Sequence, residues 1–117
     1  MGFMQRSDPL IAARALVLAD LQSHDIADAA TVSALEESLA QRRWWVAQWP
    51  QGTDYVAGLV AQDVQDAILD RMGRWPLCRR CSEPDGHGLY IEPELGPDPH
   101  WVCPRSSTVV APLGRLS

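Results

Sequence analysis

The sequence contains no lysine: all ten basic residues are arginine, set against fifteen acids for a net charge of -5. Residues 1–72 hold five arginines against ten acids and residues 73–117 five against five, so the excess negative charge lies in the N-terminal part. A duplex-binding chain normally presents a basic footprint that displaces counterions from phosphates. Only Arg42-Arg43 and Arg79-Arg80 offer even a short one, and nucleic acid is not expected as the main partner. No apolar run approaches the length that spans a bilayer, so no membrane contact is expected. Met1-Gly2-Phe3-Met4-Gln5-Arg6 lacks a long apolar stretch leading to a cleavage site, and the expected address is the cytoplasm. There is no P-loop, dinucleotide glycine pattern or Ser-His-Asp constellation, and the chain is expected not to be an enzyme. Cysteine is scarce and odd in number, three in all, which argues against a disulfide framework.

What is present begins with helical periodicity. Ser7-Asp8-Pro9 supplies a side-chain acceptor and a first-turn proline, and Leu10, Ile11, Val17, Leu18 and Leu21 follow at helical spacing, predicting a helix from about Pro9 to Gln22. Asp20, His24 and Asp28 would share a face if that helix ran on, but Gln22-Ser23-His24-Asp25 reads as a break. A second helix starts between Ser23 and Thr31, with Ser33 and Glu36 at capping-box spacing, and carries Val32, Leu35, Leu39, Val46 and Trp49 as its stripe. Pro50-Gln51-Gly52 stops it. Thr53-Asp54 opens a third helix with Val56, Val60, Val64, Ala67 and Ile68 on one face, closed by Gly73. Beyond Trp75-Pro76, Leu89-Tyr90-Ile91 and Trp101-Val102 read as a hairpin, Thr108-Val109-Val110 as a third short strand, and Pro112 as an edge marker.

Cys78-Arg79-Arg80-Cys81 is a metal-ligand spacing: two residues between cysteines let one tight turn aim both sulfurs at one point, and a tetrahedral zinc ion takes two such contributions. Cys103 adds a third thiolate, with Ser106 where a fourth sulfur would stand. Two histidines compete for the remaining place. His100 lies three residues before Cys103 in an extended run, where such residues point to opposite faces. His87 follows the turn Glu83-Pro84-Asp85-Gly86, whose loop can swing an imidazole over the first cysteine pair. The favoured ligand set is Cys78, Cys81, His87 and Cys103, with His100 in place of His87 as the alternative. Three thiolates and an imidazole close the coordination sphere, so a structural zinc is expected rather than a catalytic one.

On these residues the segment 75–112 resembles a zinc ribbon, with Cys78-x-x-Cys81 as first knuckle and Cys103-Pro104-x-Ser106 as a degenerate second. The resemblance implies a scaffold rather than an activity. The expected fold class is α+β: an acidic three-helix bundle over residues 1–73, then a small zinc-stapled β-hairpin element over residues 74–117 packed on it. Five tryptophans need places in a chain of 117 residues. Trp75 and Trp101 are expected to wall the metal site. Trp44, Trp45 and Trp49 lie at different azimuths of the second helix, where they either cement the helices to the ribbon or face a partner. The expected function is therefore a protein-interaction or adaptor module contacting a protein partner or its own copy through that helix, with a nucleic-acid-associated regulator using Arg79-Arg80 as the alternative.

Overall fold

The side chain of Asp8 starts the first helix as its spacing predicts: its Oδ1 accepts a hydrogen bond from the Leu10 N–H at 2.9 Å, ahead of Pro9 in the first turn. The computed structural model describes residues 8–81 and 86–117, so Ser7 and the residues Glu83, Pro84 and Asp85 of the expected turn lie outside the described residues. Helix α1 is Pro9–Ser23 and ends at His24, with Asp25 in the left-handed region at φ 59°. Helix α2 is Ala29–Gln48. Its cap is Asp28, which accepts from the Thr31 N–H at 2.8 Å, rather than the Ser33 and Glu36 pair. An Asp side chain placed just before the first free N–H groups answers them directly, leaving Ser33 inside the helix.

The stretch Pro50–Tyr55, expected as a stop and a restart, is a short 3-10 helix that runs straight into helix α3, Val56–Met72. Gly73 ends α3 at φ 83°, a conformation open to glycine without side-chain strain. Strands β1 (Tyr90–Glu92), β2 (His100–Val102) and β3 (Val109–Pro112) form an antiparallel sheet in the order β1-β2-β3, with Ile91 opposite Trp101 and Trp101 opposite Ala111. Pro112 therefore sits on an edge strand, where its missing N–H breaks no ladder. The fold is α+β, three helices followed by a small three-stranded sheet. None of the described helices is long and apolar enough to cross a membrane.

One hydrophobic core runs through both parts. Val17 and Leu21 of α1, Leu35 of α2, and Val60, Val64 and Ile68 of α3 meet Leu89, Ile91, Trp101 and Leu113 from the sheet region. Helix α3 lies against the sheet region at Gly58, where a Cβ would stand in ordinary contact, 3.4 Å from Ile91 and 3.5 Å from Pro99. Gln65 of α3 donates from Nε2 to the carbonyls of Trp75 and Leu89, both at 3.0 Å.

Asp20 is the strongest tie between the two ends of the chain. Its side chain is fully buried on α1, and its carboxylate accepts from the indole Nε1 of Trp101 at 2.8 Å, the Gly114 N–H at 2.7 Å and the Leu116 N–H at 2.9 Å. Three donors on one buried carboxylate meet the requirement that a buried charge be well hydrogen-bonded. Trp75 and Trp101 stack edge to face, 5.4 Å apart, in the core beside the cysteine-bearing turns. Trp44, Trp45 and Trp49 do not join them. Trp44 is 67% exposed and Trp49 41%, at the end of α2 that packs on the 3-10 helix, because α3 is the helix on which β1 lies.

Candidate metal centre

Backbone pairing sets the site before any side chain does. The Cys78 N–H donates to the His87 carbonyl at 2.9 Å, and the Leu89 N–H donates to the Pro76 carbonyl at 2.7 Å, so the two chain segments run side by side with Cys78 and His87 as neighbours. At the other wall, the Cys103 N–H donates to the Thr108 carbonyl at 3.0 Å and the Ser107 N–H to the Cys103 carbonyl at 2.8 Å, closing a tight turn over Cys103–Ser107. Ser107 takes the left-handed conformation, φ 58°, that this turn needs.

These turns aim four side chains inward. One donor atom from each of Cys78, Cys81, His87 and Cys103 lies within 4.8 Å of all the others. The Sγ atoms of Cys81 and Cys103 are 3.4 Å apart, and His87 Nε2 is 3.3 Å from Cys103 Sγ. Sulfurs at that separation are not bonded, since a disulfide needs about 2.05 Å. In a tetrahedral zinc site with Zn–S near 2.3 Å, sulfur–sulfur edges are about 3.8 Å, so the spread of the cluster fits a four-coordinate ion of that size. His87 and Cys103 are buried, while Cys78 and Cys81 are half-buried. His100 takes no part: it pairs in β2 opposite Pro112 and faces a cleft bordered by Leu16, Asp54 and Pro97.

The local electrostatics of the three thiols pull in different directions. The Ser106 hydroxyl, with the Ser106 and Arg105 N–H groups, holds the Cys103 thiol down to about 5. Burial pushes Cys78 up, but the N–H groups of Arg80 and Cys81 together outweigh it and leave the thiol below its ordinary value. Cys103 and then Cys78 crowd Cys81 and push it up to about 12. Three neighbouring sulfurs cannot all ionise against one another, and a bound cation is what removes that conflict. Ser106 thus stands at the position of a fourth sulfur and serves instead as a hydrogen-bond donor to the third. The residue pattern marked the position but not that role, because a serine in a turn carries no signal of which neighbour its hydroxyl meets. Asp20 was likewise read only as a possible face-mate of His24 and Asp28; its partners come from the other end of the chain.

The arrangement can hold a metal ion through one imidazole and three thiolates, and it leaves no protein-free corner in a tetrahedral sphere. No curated protein and no solved structure matches the chain. The profile of one family does, over residues 6–113, nearly the whole sequence, and the chain belongs to that family, Domain of unknown function (DUF8819).

Proposed function

We propose that Cys78, Cys81, His87 and Cys103 bind one structural zinc ion, which staples a zinc-ribbon-like element over residues 74–117 to the helical bundle of residues 1–73. The observation that carries this reading is the convergence of four soft or borderline donors, contributed by three separate stretches of the chain, inside 4.8 Å. Zinc supplies charge and geometry there and no chemistry, since four protein donors leave no place for a reacting water. The domain is in this reading a non-enzymatic interaction module. Its contact surface is the far end of α2, where Trp44 and Trp49 are exposed and where aromatic side chains of the kind that dominate binding hot spots gather.

The alternative, a nucleic-acid regulator using Arg79 and Arg80, draws less support. Arg79 donates to the Ser117 carbonyl at 3.3 Å and Arg80 to the Val110 carbonyl at 3.2 Å, and the helices beside them are acidic. Elemental mass spectrometry of the purified protein, paired with its solution mass by light scattering, tests the proposal. One zinc per chain is expected, lost in Cys103→Ser together with His87→Ala. A purified, folded protein without stoichiometric metal would end the zinc reading. A solution mass above that of one chain that Trp44→Ala returns to one chain assigns the α2 surface to self-contact, and a monomer points that surface toward another protein.

A further inference from the structure

Two apolar side chains on the outer side of α1 and α2 have no cover. Trp44 is 67% exposed and Ile11 65%, the most exposed large apolar side chains among the described residues. Between the two helices lies a hollow of about 230 Å3, with buried Leu10 and Leu39 and exposed Ile11 and Ala40 as its apolar lining. Trp44 follows Ala40 by four residues on α2, so the indole stands one turn along the same face. A bulky side chain and a small one beside a hollow thus share one surface.

The charges at this hollow cancel. Arg14 pairs with Glu36 and Arg43 with Asp8, both at 3.1 Å. Elsewhere the helices present acids: Glu37 of α2 and Asp66 and Asp70 of α3 have no ion-pair partner among the described residues. A basic partner is drawn to those acids, and an acidic one is repelled by the net charge of -5. A neutral apolar patch on an acidic chain is where two copies meet without bringing like charges together.

We propose that the occupant of this surface is a second copy of the chain, with the two α2 helices antiparallel and Trp44 of each seated on Ala40 and the hollow of the other. This rests on the reading of α2 as the contact surface and adds its occupant and register. Two-fold symmetry requires one patch to complement itself, and the step from Ala40 to Trp44 does so. An axis crossing α2 midway between them sets each indole opposite the other copy's alanine. The same register sets Glu36 opposite the other copy's Gln48 and Glu37 opposite its Ala47, so no acid meets an acid. Each incoming indole also lies beside Arg14 and Arg43, where a guanidinium is a favourable neighbour for its ring. A parallel pairing would set Trp44 against Trp44 and leave both hollows empty.

Sedimentation equilibrium of the purified chain over a concentration series, with metal content measured on the same samples, tests this. A monomer–dimer equilibrium is expected, half dimer at about 100 µM or below. Both positions are exposed in the single chain, so Trp44→Ala and Ala40→Glu are expected to leave the far-UV circular dichroism and the metal content unchanged. Each is expected to weaken dimerisation about thirtyfold or more. A chain still monomeric at about 1 mM would overturn the proposal and leave the α2 surface to a different protein. A dimer that neither substitution weakens would overturn it by placing the self-contact elsewhere. A dimer lost in Trp44→Ala but kept in Ala40→Glu would overturn the seating proposed here while the reading of α2 as a contact surface stands.

Discussion

At the scale of single residues, two side chains decide more than their surroundings suggest. Asp20 gathers three donors into a buried pocket, and Asp20→Ala would strand all three together. We expect a loss of about 3 kcal/mol or more in urea denaturation, with the emission of Trp101 shifted; a loss within error of zero would mean that water replaces the carboxylate freely. Cys103 contributes to the pH dependence expected of the metal-free chain between pH 9 and 5. Its folded value, about 5, lies below the ordinary thiol value of 9.0, so the unfolded chain binds more protons between the two. The stabilisation is fully present above pH 9 and is lost as pH falls through about 5. Cys81, raised to about 12, acts in the opposite sense: its contribution is intact below pH 9 and is lost as pH rises through about 12. Melting temperatures of the chelated protein between pH 9 and 5 should fall with pH, and Ser106→Ala should flatten that slope by removing the hydroxyl that favours the Cys103 thiolate.

At the scale of elements, the end of α2 is held by rings rather than by a core. Trp45 and Trp49 meet edge to face at 5.1 Å, Trp49 tilts onto Tyr55 at 5.9 Å, and the Arg42 guanidinium lies 5.4 Å from the Trp45 centroid. Gly52 is buried under them: a Cβ there would stand 2.7 Å from Trp49 and within contact distance of the Trp45 ring. Gly52→Ala is therefore expected to cost about 1–3 kcal/mol and to shift tryptophan emission, whereas an unchanged denaturation midpoint would show the rings to be loosely set. The helix boundaries were legible because caps are local: Asp8 with Pro9, and Gly73, act within a few residues of themselves. The cysteine spacing was legible for the same reason. The run Pro50–Tyr55 was not, since proline and glycine signal a break equally well when the chain stops and when it tightens into a 3-10 turn. The placing of Trp44, Trp45 and Trp49 was open as well, because azimuth on a helix says which rings cannot share a face but not which neighbour each face meets.

At the scale of the whole molecule, the core passes without interruption from α1 to the sheet, and the cysteine-bearing turns hang on its edge through Trp75, Leu89 and Trp101. Packing shared in this way is expected to make the helices and the sheet one cooperative unit. Far-UV circular dichroism, which reads the helices, and tryptophan fluorescence of a chain with Trp44, Trp45 and Trp49 changed to Phe, which reads Trp75 and Trp101, should report a single coincident thermal transition. After chelation both should move to lower temperature together; two separated transitions would show that the parts unfold independently. Nothing local encodes that union, because it depends on contacts such as Asp20 with Leu116, 96 positions apart.

That separation bears on how the chain is made. Helix α1 leaves the ribosome long before the glycine and leucine amides that will satisfy its carboxylate have been synthesised, so Asp20 must wait in water, still solvated. Translation must therefore pass Leu116 before the Asp20 carboxylate can meet its final donors, and a nascent chain stalled earlier is expected to keep that carboxylate in water and the apolar residues around it uncovered.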